Sequence, residues 1–221
     1  MARGAALAAM HQIRSYRGLD TAALTAELES LAATFDPDVG GAFTALERAY
    51  AALASGDLTA ASIDATRYAE LWHQGEVEGY RVATRAALWA RDLQRARNGL
   101  AAFERLRQHG GAVHMTTLTF GAGIAALEGR TSEALTMYRD ALRGWEELGL
   151  PWDQALATVD MAMTVGPDEP AVATAAAAAR TILEGLGAAP ILDRLDAALS
   201  QPGKSGRRGS AAARTREGAS V

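Results

Sequence analysis

His109 and His114, with Glu104 a few residues earlier, are the first residues with ligand chemistry, because two imidazoles and a carboxylate are groups that zinc takes. The spacing works against it. A five-residue interval containing Gly110 and Gly111 does not set both rings on one helical face, and no third ligand follows at a fitting distance. The run predicts an interhelix loop and no metal site. Gly121-x-Gly123-x-x-Ala126 follows the strand-like VHMTTLTF and has the outline of a dinucleotide-binding turn. That turn needs a strand before it and a long helix after it. Here a break at Gly129 comes too soon, so the glycines are expected to let helices pack closely. Gly203-Lys204-Ser205 has the ending of a phosphate-binding loop, yet the loop's first glycine would fall at Ala198. No nucleophile, histidine and carboxylate stand in a recognisable order, although such a triad is assembled in space. The chain has no cysteine, which removes disulfides and thiolate metal sites. The expectation is no catalytic residue, no cofactor, no metal and no enzymatic activity.

Charge bears on partners. Residues 200–221 carry a net charge of +4 and residues 1–199 one of −8. A body of that sign repels a phosphate backbone, so only the basic tail would contribute to nucleic-acid binding. The tail QPGKSGRRGSAAARTREGASV has no large apolar residue before Val221 and is expected to be disordered. No apolar run is long enough to span a membrane. The start, MARGAALAAMHQI, lacks the long hydrophobic region of a secretory signal. Both point to a cytoplasmic protein with no membrane partner.

What would position functional residues is a recurring break. Helical patterns are interrupted at RGLDTAA (17–23), SGDLTAA (55–61), ARDLQRA (90–96), EGRTSEA (128–134) and VGPDEPA (165–171). The second residue is Gly18, Gly56, Arg91, Gly129 or Gly166, and five positions on stands Ala23, Ala61, Ala96, Ala134 or Ala171. Those alanines are 38, 35, 38 and 37 residues apart. Glycine leaves a helix in the left-handed conformation without a Cβ clash. Asp57, Asp92, Thr131 and Asp168 can accept hydrogen bonds from the amides that open the next helix. The small alanine lets two antiparallel helices approach. Between breaks the apolar spacing is three and four, as in Phe43, Leu46, Tyr50 and Leu53, or Leu135, Tyr138, Leu142, Trp145 and Leu148. Trp72, Trp89 and Trp145 are read as core, and Trp152, at a helix start, as either core or contact. The pattern predicts an all-α domain over 1–199, an α-solenoid of about five helix pairs. A last helix, Ile191–Leu199, would cover its end, and a disordered tail would follow over 200–221.

On these residues the chain resembles a tetratricopeptide-repeat array with units slightly longer than the standard. AALEGRTSEALTMYRDAL is the best unit, with its turn glycine, the small residue five on, and an aromatic residue followed by Ala-Leu. Arg91 stands where the pattern has a turn glycine. The stretch from LGLPWDQALATVDMA to ILDRLDAAL (148–199) resembles the C-terminal repeat region of large bacterial signalling proteins. Those are ATPase-linked class III nucleotide cyclases and large LuxR-type transcription regulators.

The resemblance implies that the first helix of each pair lines a concave groove, which places Tyr50, Glu78, Arg81, Arg85, Thr116, Thr119, Asp153 and Asp160 on it. Glu78, Arg81 and Arg85 form one ridge by their spacing. Arginine grips a carboxylate through two hydrogen bonds, which suits an acidic peptide. The function implied is a non-catalytic protein-interaction or regulatory module of bacterial signalling that binds a peptide or protein domain. Two alternatives stand beside it. One is a fragment of a transcription regulator or cyclase whose DNA-binding or catalytic domains are absent. The other is an enzyme with an unrecognised site inside the solenoid.

Overall fold

The computed structural model describes residues 2–201, so the phosphate-loop-like 203–205 and nearly all of the expected tail lie outside the described residues. Eleven α-helices and no strand are found among them. The helices are α1 (Ala2–Tyr16), α2 (Ala22–Ala32), α3 (Pro37–Ser55), α4 (Leu58–Leu71), α5 (Glu76–Trp89) and α6 (Leu93–Arg105). They continue with α7 (Gly111–Leu127), α8 (Thr131–Glu147), α9 (Pro151–Thr164), α10 (Pro170–Leu186) and α11 (Ala189–Leu199). A single 3-10 turn, His73–Gly75, joins α4 to α5. The fold is all-α, and no described helix is long and apolar enough to cross a membrane.

The recurring break sets the turns. Gly18, Gly56, Gly129 and Gly166 have φ of +68°, +97°, +84° and +102°, the left-handed region that glycine enters without penalty. Arg91 takes the same conformation at φ +57° despite its Cβ. Its guanidinium donates from Nη1 to the carbonyl oxygens of Met163 (2.6 Å) and Thr164 (3.3 Å). The side chain thus ties its turn to the end of α9. Asp57 and Asp92 cap α4 and α6, accepting from the amides of Ala60 and Arg95. Thr131 is instead the first residue of α8, and Glu169, not Asp168, precedes α10. Ala61, Ala96 and Ala134 are fully buried as expected. Ala23 and Ala171 are exposed, and in the last unit Val172 fills the buried position one residue later. The strand-like VHMTTLTF lies within α7. Its Thr116 and Thr119 hydroxyls donate to the carbonyls of Ala112 and Met115, which satisfies them inside a helix.

Helices α2, α4, α6, α8 and α10 pack on their sequence neighbours. The odd-numbered helices also pack on one another in succession, from α1 to α11, and form an inner row. The row curls tightly: α5 reaches α9 past α7, and α11 packs against α1 and α3. Alanine makes this closeness possible. Helices α4 and α5 approach so nearly at Gly79 that a Cβ there would lie 2.7 Å from the Ala69 Cβ and 2.8 Å from the Ala65 carbonyl oxygen. Between the layers sit Leu53, Leu88, Phe120, Tyr138, Leu156 and Leu183, all but inaccessible.

Candidate binding site

Because α5 faces α9 across the inner row, side chains two units apart in sequence meet. Asp160 on α9 is wholly buried, and Arg85 on α5 is 6% exposed. Arg85 Nε donates to Asp160 Oδ1 and Oδ2 at 3.1 and 3.2 Å, and Trp89 Nε1 donates to Oδ1 at 2.6 Å. Burial pushes the Asp160 carboxyl above its ordinary value, and Arg85 and Trp89 pull it back. The Arg85 guanidinium also stands 5.4 Å from the Phe120 ring centre. From α11, Arg194 places its guanidinium 4.9 Å over the Trp89 ring and donates to the Leu53 carbonyl at 3.2 Å. Burial lowers the pKa of Arg194.

One turn away the same interface is half open. Tyr50 donates to Glu78 Oε1 at 2.8 Å, and Arg81 bridges Glu78 Oε2 (3.2 Å) and Asp153 Oδ1 (2.5 Å). The Arg81, Glu78 and Asp153 side chains are 26%, 34% and 15% exposed. Burial first, then the Glu78 charge, raises the Tyr50 hydroxyl far above its ordinary range. Tyr16 lies edge-on to Tyr50 at 5.6 Å and tilted against Trp152 at 4.8 Å. Trp152 is therefore half-buried, walling a cleft of about 370 Å³ between α1, α9 and the junction of α10 with α11.

All eight residues assigned to a groove thus lie on odd-numbered helices, but most point at each other. Tyr50, Glu78, Arg81 and Asp153 form one cluster, and Arg85 pairs with Asp160. Thr116 and Thr119 are buried, and Thr119 also accepts from Trp145 Nε1 at 3.2 Å. The expectation that Arg81 and Arg85 present free guanidinium groups to an acidic peptide needs correction, because carboxylates of α9 already occupy both. Neither ridge nor groove is open at Arg85. Of the tryptophans read as core, Trp89 and Trp145 are buried, and Trp72 is only half-buried against Phe43. His109 and His114 are exposed, and no group of three metal-ligating side chains occurs among the described residues. Gly123 sits on α7 where Leu88 and Tyr138 pack close.

Two features were missed. On α1, His11 is 2% exposed, with its Nε2 3.1 Å from Thr25 Oγ1 and its Nδ1 2.8 Å from Glu47 Oε2 on α3. The order hydroxyl, imidazole, carboxylate is that of a nucleophile triad. Thr25 Oγ1, however, donates to the Thr21 carbonyl at 3.0 Å, and His11 is sealed from solvent. The arrangement pins α1 to α2 and α3. Burial raises the Glu47 carboxyl above its ordinary 4.5, opposed by His11. A carboxyl held protonated more tightly when folded adds stability below pH 4.5 and loses it as pH rises through the folded value. Glu47→Gln cannot lose that proton. Its stability relative to the parent is expected to improve from about pH 4 to about pH 7, as read from urea midpoints. A constant difference would mean that Glu47 titrates as if exposed.

The second is an outer groove of about 610 Å³ between α4 and α6, floored by Tyr80 and Ala83 of α5. Arg67, Arg95 and Arg105 line it together with Thr66 and Asn98, and Glu70 stands on its rim. Arg95 lies 3.5 Å from Asp92, whereas no ion pair engages Arg67 or Arg105 among the described residues. No sequence motif marks these arginines. They come together because α4 and α6 flank one inner helix. Comparison with known proteins adds nothing to this geometry: no family model, no curated protein and no solved structure matches the chain.

Proposed function

We propose that the protein is a non-catalytic, tetratricopeptide-like interaction module that holds an acidic segment of a protein partner in the groove between α4 and α6. The observation that carries the reading is that Arg67 and Arg105, which no carboxylate of the described residues pairs, both line one groove of a body whose net charge is −8. Nine other arginines of the described chain (3, 48, 81, 85, 95, 97, 130, 143 and 180) are paired with carboxylates of the same chain. A guanidinium left free beside a tyrosine and an asparagine favours a carboxylate-bearing ligand through paired hydrogen bonds. A cytoplasmic signalling setting belongs to the same proposal and rests only on the sequence resemblance of residues 148–199.

The test is fluorescence anisotropy with a labelled Glu-rich peptide and its Lys-rich counterpart. The protein should bind the first and not the second, with affinity falling as salt rises. Changing Arg67 and Arg105 together to Glu should weaken binding by at least about tenfold, ~1.4 kcal/mol. Both side chains are exposed, so helical content should not change. Equal binding by parent and variant would remove this groove as the site.

A further inference from the structure

We propose that the cleft at the meeting of α1 with α9, α10 and α11 is a binding site for a small amphipathic carboxylate, an apolar body with one acidic head. The lining comes from α1 and from the region of α9 to α11, far apart in sequence. Gln12, Ile13, Tyr16 and Arg17 belong to α1 and its end, Trp152 opens α9, and Leu186 closes α10. The rings of Tyr16 and Trp152, with centres 4.8 Å apart, form one wall. Ile13 and Leu186 are 54% and 39% exposed, so their apolar surfaces face the cleft's opening with no side chain over them. At about 370 Å³ the space matches a small ligand and is too small for a folded partner's core.

Arg17 gives the ligand its charge. It is the one charged residue of the lining, and no carboxylate engages it among the described residues. Its Nε donates to the Leu186 carbonyl at 3.0 Å, which fixes the side chain at the mouth of the cleft. The terminal nitrogens of the guanidinium have no hydrogen-bond partner among the described residues and present a two-pronged donor suited to a carboxylate. A guanidinium at the rim of an aromatic and aliphatic cavity selects a ligand with its charge at one end. The site shares no residue with the groove between α4 and α6, so it stands or falls independently of the function proposed above.

The test uses decanoate, with decanol as the uncharged probe of the same chain, both below the concentrations at which they self-associate. Titration calorimetry should show saturable decanoate binding to the full chain, accompanied by a change in tryptophan emission that Trp152→Phe abolishes. Arg17→Met should weaken decanoate by about tenfold and leave decanol unchanged. Ile13→Trp fills the cleft from a position that is mostly exposed in the parent, so the fold is kept while both ligands are lost. Absence of decanoate binding, undiminished binding by Ile13→Trp, or equal affinity of the parent for decanoate and decanol would each overturn the proposal. Dimerisation of the parent through this face, seen by sedimentation and abolished by Ile13→Asp without any decanoate binding, would assign the cleft to a second copy instead and overturn it too.

Discussion

Asp160→Ala should destabilise the protein by roughly 3–5 kcal/mol, the range for leaving one member of a buried ion pair alone. Arg85 is 6% exposed and Asp160 is not exposed at all, so water cannot enter to solvate the guanidinium that remains. Trp89 loses its acceptor in the same substitution, adding a second orphaned donor. The loss should therefore exceed that for Asp153→Ala, whose partner Arg81 keeps Glu78 and is 26% exposed. Attraction alone does not decide the sign. Desolvation of two charges offsets much of what their pairing contributes, so removing both should cost less than removing one. Arg85→Met combined with Asp160→Leu should recover most of the stability, with about 1–2 kcal/mol still missing because the Trp89 N–H has no acceptor. Urea unfolding of the two single variants and the double variant gives the cycle. If Asp160→Ala shifts stability by less than about 1 kcal/mol, Asp160 is protonated in the folded protein and the pair is not ionic.

The second large effect separates two glycines that look alike in sequence. Gly79 and Gly185 both lie inside helices, where alanine is the better helix former by up to about 1 kcal/mol. Around Gly185, in the last turn of α10, no atom would lie within 4 Å of an added Cβ, so Gly185→Ala should stabilise by a part of that amount, about 0.5 kcal/mol. At Gly79 the Cβ would meet the Ala65 carbonyl oxygen at 2.8 Å and the Ala69 nitrogen at 3.0 Å. These are backbone atoms and cannot swing aside. Helices α4 and α5 would have to separate, opening a close contact between the inner row and its neighbour. Overpacking of this kind costs roughly 1–3 kcal/mol, and here it overrides the propensity gain. Gly79→Ala is expected to lower stability by about 2 kcal/mol. A rise in both midpoints would show that the two helices slide apart at no cost.

Local chemistry made the turns legible and left their assembly hidden. The left-handed position was readable at Gly18, Gly56, Gly129 and Gly166 because only glycine enters that conformation freely. Arg91 broke the residue pattern and kept the backbone pattern, held by carbonyls of α9 that sequence does not place beside it. Asp57 and Asp92 act where a cap was read. Thr131 does not, since a residue that suits a cap also begins a helix. Alanine register held at Ala61, Ala96 and Ala134, where helices lie on both sides, and failed at Ala23 and Ala171, in the end units. The expected groove residues do belong to the inner row, because helix order fixes that. Their partners were invisible. Arg81 with Asp153 and Arg85 with Asp160 are 72 and 75 residues apart, and they meet because α5 packs on α9 past α7. His11 and Glu47 are likewise joined by the packing of α1 on α3, and the arginines of the outer groove by two helices that flank a third.

The return of α11 to α1 and α3 changes how the molecule can come apart. In an array whose units touch only their neighbours, stability is close to a sum along a line, and the ends fray first. Here the first and last helices brace each other. Gly18 lies against the Pro190 ring, Arg17 bonds the last turn of α10, and Arg194 covers Trp89. Lifting α11 away would uncover α1, α3 and α5 together, so among the described helices neither end can detach without exposing the other. Cooperativity in this chain is then a property of the closed circuit rather than of any one unit.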